Sequence, residues 1–177
     1  MKYLLSALLF ISLSGKAQQS PEGKKSNLET FTTREGHLYK KTYETVGATK
    51  RLTLQVLTIE DLTDRSKLQG LRIETTTVSA AYDIDSKIAF LDKDEIEGFL
   101  KSLNYFKTDV FPSSPANYTE VVYYSRSGFR ASSFLDKKKW SLVLQLERFD
   151  NRSKVYLNES ELDELIKLVS KAVPLIE

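Results

Sequence analysis

Polar and apolar residues alternate with a period of two along much of the chain, which is the pattern of half-buried β-strands. The alternating stretches are rich in Thr, Val, Tyr and Leu, and they predict six strands: His37–Glu44, Arg51–Ile59, Gln69–Ala80, Tyr118–Ser125, Phe129–Leu135 and Lys139–Arg148. Two other stretches carry apolar residues at i, i+3, i+4 and i+7, the stripe of a helix that lies on a core. They predict helices with the buried faces Ile96, Phe99, Leu100, Leu103 and Leu162, Leu165, Ile166, Val169, Val173.

One passage of the sequence occurs twice. Tyr82–Lys101 has the sequence YDIDSKIAFLDKDEIEGFLK, and Phe149–Lys167 has FDNRSKVYLNESELDELIK, which aligns after deletion of one residue near Ala89. Each copy predicts a tight turn, a short strand, a capping box and a helix. The turns are Asp83–Ser86 and Asp150–Ser153, the strands Lys87–Phe90 and Lys154–Tyr156, and the capping boxes Asp92/Glu95 and Asn158/Glu161. Because the copies share an Asp-x-x-Ser-Lys turn as well as apolar spacing, we interpret them as an internal duplication.

Three predicted strands precede each copy, so the element order is ββββα–ββββα. The predicted fold class is α+β, with two tandem ββββα repeats whose antiparallel sheets each pack one helix. We place the repeats at 36–106 and 117–173, joined by a linker at 107–116 that contains two prolines. Neither half alone covers both faces of its sheet with apolar partners. This predicts a single domain over 36–176, with pseudo-twofold symmetry, that folds as a monomer.

This order resembles the Whirly family and its single-repeat relatives, transcriptional coactivators that pair two ββββα units as a dimer. The segment Ser153–Val169 is similar to the end of those repeats, and Lys171–Ile176 looks like the Ala-Leu-Pro-His ending of the Whirly domain. Whirly proteins bind single-stranded DNA through a Lys-Gly-Lys/Asn-Ala-Ala-Leu type motif, which has no counterpart in this sequence. The resemblance therefore implies an architecture and assigns no residue a role.

The first residues have the order of an export signal. Lys2 is followed by the apolar stretch Leu4–Leu13 and by the small residues Gly15 and Ala17. The stretch has the length of a signal-peptide core and falls short of the roughly 20 residues that cross a bilayer. We predict a cleavable signal peptide at 1–17, a flexible leader at 18–35, and a periplasmic or extracellular protein; a buried N-terminal helix is the alternative.

Charge disfavours one class of function, and composition excludes another. The chain has 26 Lys and Arg against 24 Asp and Glu, and Lys2 and Lys16 leave with the signal peptide. The processed chain is then neutral, whereas a nucleic-acid-binding domain is usually basic. There is no cysteine, which excludes disulfides and thiol catalysis.

No residue cluster predicts a catalytic, metal or cofactor site. His37 is the single histidine, and no glycine pattern marks an activated serine or a zinc site around it. The acidic residues Asp83, Asp85, Asp92, Asp94 and Glu95 do not have EF-hand spacing, since a lysine stands where the third calcium ligand would be. We therefore expect no cofactor, no metal and no enzymatic activity. Catalysis by scattered carboxylates is the alternative, without positive evidence.

The second repeat carries a basic, aromatic-rich stretch. Residues 117–156 contain eight Lys or Arg against four Asp or Glu, with Tyr, Phe and Trp between them. We predict a binding or scaffold module that contacts an envelope protein or an anionic polymer through this sheet, and a single-stranded nucleic-acid binder is the alternative. The aromatics could instead fill the core while the lysines keep the hairpins soluble. The candidate contact residues are Arg126, Arg130, Lys137, Lys138, Lys139 and Trp140.

Overall fold

The computed structural model describes residues 24–80 and 83–176. Its first sheet contains the strands β1 (Tyr39–Thr49), β2 (Leu52–Asp61), β3 (Lys67–Ala80) and β4 (Asp83–Asp92), in that spatial order. The second sheet contains β5 (Glu120–Tyr124), β6 (Arg130–Asp136), β7 (Lys139–Gln145) and β8 (Lys154–Leu157), again in chain order. The helices are α1 (Asn27–Phe31), α2 (Lys93–Tyr105) and α3 (Glu159–Ala172).

All neighbouring strands are antiparallel, and a helix follows each sheet. The predicted α+β class with two ββββα units is therefore confirmed. The predicted signal peptide, 1–17, lies outside the described residues. None of the helices in the described part of the chain is long and apolar enough to cross a membrane.

The helices α2 and α3 each pack against the other repeat. The Phe99 ring of α2 contacts the rings of Tyr123 in β5 and of Phe129, the residue before β6, with centroids 5.3 and 5.2 Å away. Leu168 of α3 packs on β1, where a Cβ added to Gly47 would lie 2.5 Å from the Leu168 Cδ2 atom. A single large core cluster consequently draws side chains from both sheets and both helices.

The first turns of α2 and α3 are also held by residues of the other repeat. Lys50, in the turn between β1 and β2, donates to the Tyr156 carbonyl at 2.7 Å and contacts Glu161 of the α3 capping box at 3.2 Å. In the turn that follows β5, the N–H of Arg126 donates to Glu95 of the α2 capping box at 2.5 Å. Equivalent hairpins thus hold equivalent helix starts, which is the pseudo-twofold relation expected of a duplication.

The segment predicted as a flexible leader contains structure. Ser26 caps α1, and its hydroxyl accepts from the Glu29 N–H at 3.1 Å. Leu28 is buried against Leu57 and Ile59 on the outer face of the first sheet. Gly70 makes this possible, because a Cβ there would lie 2.5 Å from Leu28 Cδ1. The prediction of a leader through residue 35 is therefore wrong for α1.

The predicted turn Asp83–Ser86 is also wrong. These residues belong to β4, whose partners on β3 continue as far as Thr76 opposite Ser86 and Ala80 opposite Asp83. In the second copy β7 ends at Gln145, so the corresponding residues have no strand to pair with. They form a 3-10 turn, Asn151–Ser153. The predicted linker, 107–116, contains structure at its start. Helical backbone continues over Phe106–Val110, and both end residues of this segment are buried.

Candidate functional site: a basic cleft on the second sheet

The structure divides the six predicted contact residues into three places. Arg126 and Arg130 lie at the β5–β6 turn, whereas Lys137 and Lys138 form the β6–β7 turn at the other end of β6. The separation is the length of a seven-residue strand, about 20 Å. Lys139 and Trp140 line a third region beside the start of α3. None of the clefts at these three places is lined by all six side chains.

The outer face of the second sheet carries one polar row at the end that holds Arg130. Tyr124 pairs with Arg130, Arg130 with Gln145, and Gln145 with Lys154, so that one residue from each strand lies side by side. Tyr124 is exposed, and Arg130 and Lys154 are half-buried. Core residues such as Ala131 and Leu144 occupy the opposite face, since side chains alternate along a strand.

The loop after β7 is held by hydrogen bonds to Gln145 of this row. The Gln145 amide donates to the carbonyls of Glu147 and Asp150 at 3.2 and 3.3 Å. The fully buried Ser153 hydroxyl accepts from the Glu147 N–H at 3.0 Å and also contacts the Asp150 carbonyl at 2.7 Å. These bonds fix the loop backbone, and the loop presents Arg148 and Phe149 at the edge of the sheet.

Phe149 is the unusual residue of this loop. It has φ of 67°, a left-handed conformation that costs a residue other than glycine about 1–2 kcal/mol. Its ring is 77% exposed, although burial of an aromatic ring normally stabilises a fold. The Arg148 guanidinium lies 4.8 Å from the ring centroid. Backbone strain of this kind clusters at ligand-binding sites, so Phe149 is a candidate contact residue.

These groups surround one cleft of about 840 Å³. Its lining includes five cationic side chains and no carboxylate: Lys24, Arg126, Arg130, Arg148 and Lys154. The polar and aromatic remainder includes Tyr124, Ser125, Gln145, Phe149 and Asn151. We call this group of residues the basic cleft. It attracts anions, because like charges around a concave surface reinforce each other's potential.

The cations of the basic cleft are not equivalent. Arg126 forms ion pairs with Asp92 and, at 2.6 Å, with Asp94, and hydrogen bonds to Asp94 and Asp92 raise the pKa of its guanidinium. Within the described residues, Lys24, Arg130, Arg148 and Lys154 form no ion pair. The buried Nε of Arg130 has no hydrogen-bond partner there. Arg126 is therefore structural, and the other four have charge available for a ligand.

Trp140 has a structural role. Its indole N–H donates to the Ser113 carbonyl at 2.9 Å, and its ring packs partly against the core. With Lys139 it borders a groove of about 540 Å³, in which Lys50 is already paired with Glu161 and Glu159 adds a second carboxylate. This groove has mixed charge and is a weaker candidate for anion binding than the basic cleft.

His37 is part of an ion-pair cluster at the start of β1. Its Nδ1 lies 2.5 Å from Asp61, which is fully buried, and Asp64 is close enough for the three groups to resemble a metal site. Arg34, however, lies 3.0 Å from Asp64 and 3.7 Å from Asp61 and supplies the positive charge. Burial raises the pKa of Asp61, but hydrogen bonds from Thr63 and His37 outweigh it and hold the pKa below its usual value.

Sequence reasoning did not select Lys24, Arg148, Phe149 and Lys154 as contact residues. The pairing of β5 to β8 could have found Lys154, because it aligns Lys154 with Arg130 across the sheet. No local signal marks Phe149, whose exposure depends on the folded loop. No protein-family model matches the chain, and no curated protein matches it significantly.

Proposed function

We propose that this chain is an exported, non-enzymatic binding domain that holds an anionic polymer in the basic cleft. The observation that carries the proposal is the charge of the cleft: five cations and no carboxylate line it, and four of the cations have no ion pair among the described residues. A single small anion needs one or two such groups, whereas a cleft lined by four of them suits a ligand with repeated charges.

The rest of the cleft supports binding rather than catalysis. Its lining contains no histidine or carboxylate that could transfer a proton. The hydroxyl of its serine, Ser125, accepts a hydrogen bond from the Phe129 N–H and lies 3.1 Å from the Ser127 hydroxyl, both within the β5–β6 turn. The hydrogen bonds of the loop after β7 hold Arg148 and Phe149 in place before a ligand arrives. A loop backbone that is fixed in this way loses little conformational entropy on binding.

Two charge-neutralising variants of equal size test the proposal. Arg148→Gln with Lys154→Gln removes two charges from the cleft, and Lys137→Gln with Lys138→Gln removes two from the β6–β7 turn. The ligand is a fluorescent sulfated polysaccharide, titrated by anisotropy at several salt concentrations. We expect the Kd of the cleft variant to be at least about tenfold higher, because the two lost contacts together contribute about 1.4 kcal/mol to the binding free energy. We expect the turn variant to bind like the parent.

Equal weakening by both variants would show that net charge alone drives binding and would refute the cleft as the site. Stronger weakening by the turn variant would instead favour the β6–β7 turn as the contact surface. Circular dichroism and thermal unfolding of both variants control for the fold.

The second candidate function is binding of single-stranded nucleic acid. The observation in its favour is the pair of exposed rings, Tyr124 and Phe149, among the cations, because bases stack on such rings. An oligothymidine titration separates the two functions. Stacking predicts that Tyr124→Ala or Phe149→Ala weakens oligonucleotide binding by about 1–3 kcal/mol. Binding of a polysaccharide but not of the oligonucleotide would exclude the second function.

A further inference from the structure

The strand β1 has a free edge. Among the described residues it pairs with β2 alone, and it lies at the end of the first sheet. Every side chain from Lys40 to Thr45 is exposed. Beyond that point α3 covers the strand, and Lys171 donates to the Val46 carbonyl at 3.2 Å. The segment Tyr39–Thr45, which we call the free edge, is therefore open to another chain.

The main chain of the free edge is ready for strand pairing. The Leu38 carbonyl accepts from the Leu62 N–H at 2.8 Å, so the backbone groups of Leu38 point toward β2. Because this direction alternates along an antiparallel strand, the even-numbered residues bond to β2. The N–H and C=O groups of Tyr39, Lys41, Tyr43 and Thr45 consequently point away from the sheet. An exposed row of this kind is a template for an added strand.

We propose that the free edge pairs antiparallel with the same edge of a second copy of this chain, about a twofold axis at Thr42. Lys40 then lies directly opposite Glu44 of the second copy, and Lys41 lies opposite Tyr43 of the second copy. Symmetry repeats each pair, so two ion pairs form on one face of the joined sheet and two cation–aromatic pairs on the other. Opposite charges in directly facing positions stabilise a sheet.

Neighbouring symmetric registers lack this complementarity. A twofold axis at Lys41 places that lysine opposite itself, and an axis at Tyr43 leaves both Lys40 and Glu44 without an opposite charge. Only the Thr42 register matches lysine to glutamate, and it also brings the outward groups of Lys41 and Tyr43 into hydrogen-bonding positions. The contact is isologous, so it closes at a dimer with a continuous sheet of eight strands. It does not depend on the basic cleft, which lies on the second sheet.

Single cysteines test the register directly, because the chain has none of its own. Thr42→Cys places two thiols in facing, non-hydrogen-bonded positions with Cα atoms about 4.5 Å apart, within disulfide range. The matched control is Glu44→Cys, equally exposed on the same face but about 13 Å from its symmetry mate. Under mild oxidation we expect covalent dimer as the main product of Thr42→Cys and only background dimer from Glu44→Cys. Equal yields, dimer from Glu44→Cys alone, or no dimer from either would overturn the proposal.

A charge exchange gives an independent readout by sedimentation equilibrium. Lys40→Glu or Glu44→Lys alone converts both ion pairs into like-charge pairs, and we expect either change to weaken association about tenfold. The double variant restores opposite charges and should associate like the parent. A parent protein that is monomeric at every concentration, or a double variant no better than the single ones, would also overturn the proposal.

Discussion

The two capping boxes provide the sharpest test of how the repeats fit together. They are equivalent in sequence, yet their surroundings differ. The Asp92 carboxylate, 4% exposed, accepts from the N–H groups of Asn27 and Leu28 at 2.8 and 3.1 Å and pairs with Arg126. The Asn158 side chain accepts from the Glu161 N–H at 2.9 Å and lies at the surface. The substitution Asp92→Ala should therefore cost far more stability than Asn158→Ala.

The magnitude follows from the contacts that each substitution removes. Loss of an exposed N-cap costs about 1 kcal/mol, which is the expectation for Asn158→Ala. Removal of one partner from a buried ion pair costs about 3–5 kcal/mol, because the other partner and its hydrogen-bond donors lose their acceptor. We expect Asp92→Ala to fall at the lower end of that range, since Arg126 keeps Asp94 as a partner. This is a large share of the roughly 5–15 kcal/mol that stabilises a domain.

Urea unfolding at neutral pH measures both values, and an unchanged slope shows that the unfolded state is unaffected. Arg126→Ala and the double variant Arg126→Ala with Asp92→Ala complete a cycle, in which we expect a coupling of about 1–3 kcal/mol. The reasoning is refuted if the two cap substitutions differ by less than about 1 kcal/mol, or if the cycle shows no coupling.

Three further outcomes are expected. The hydrogen bond from Lys87 lowers the pKa of Asp150, so this contact stabilises the fold at a pH above the ordinary pKa of an aspartate and is lost as the pH falls through the lowered pKa. The substitution Asp150→Asn should therefore flatten the decrease of the free energy of unfolding at acid pH, measured with urea. Gly70→Ala should displace Leu28 and cost about 1–3 kcal/mol, with faster proteolysis at α1. Phe149→Asn should relieve backbone strain without loss of thermal stability, yet weaken polymer binding.

The elements that sequence predicted well are the ones with local causes. The apolar stripe of α2 is buried at Ile96, Phe99 and Leu103, and that of α3 at Leu162, Leu165 and Val169. Each apolar stripe and its cap lie within one stretch of chain, so the helix can be predicted from that stretch alone. The hairpin turns and the fold class follow from the same local patterns.

The elements that sequence missed depend on distant residues. The five-residue helix α1 is too short to form alone, and it docks on Asp92, which is 65 positions from Asn27. The basic cleft likewise needs the register of β5 to β8, since Lys154 is 24 positions from Arg130 in sequence but shares a row with it. Local charge counts therefore favoured the lysines of the β6–β7 turn, which lie at the opposite end of β6 from the basic cleft.

The two copies of the duplicated segment differ in the surroundings of their shared lysine. Lys87 and Lys154 occupy the same position of the duplicated segment, but Lys87 is 8% exposed and lies 2.8 Å from Asp150 of the other repeat. Lys154 lines the basic cleft and has no ion pair among the described residues. A 3-10 turn, Asn151–Ser153, precedes Lys154, whereas Lys87 lies within the strand β4. Both copies contact the other repeat, but only the second copy leaves its lysine without an ion pair among the described residues, and this difference supports the proposed cleft.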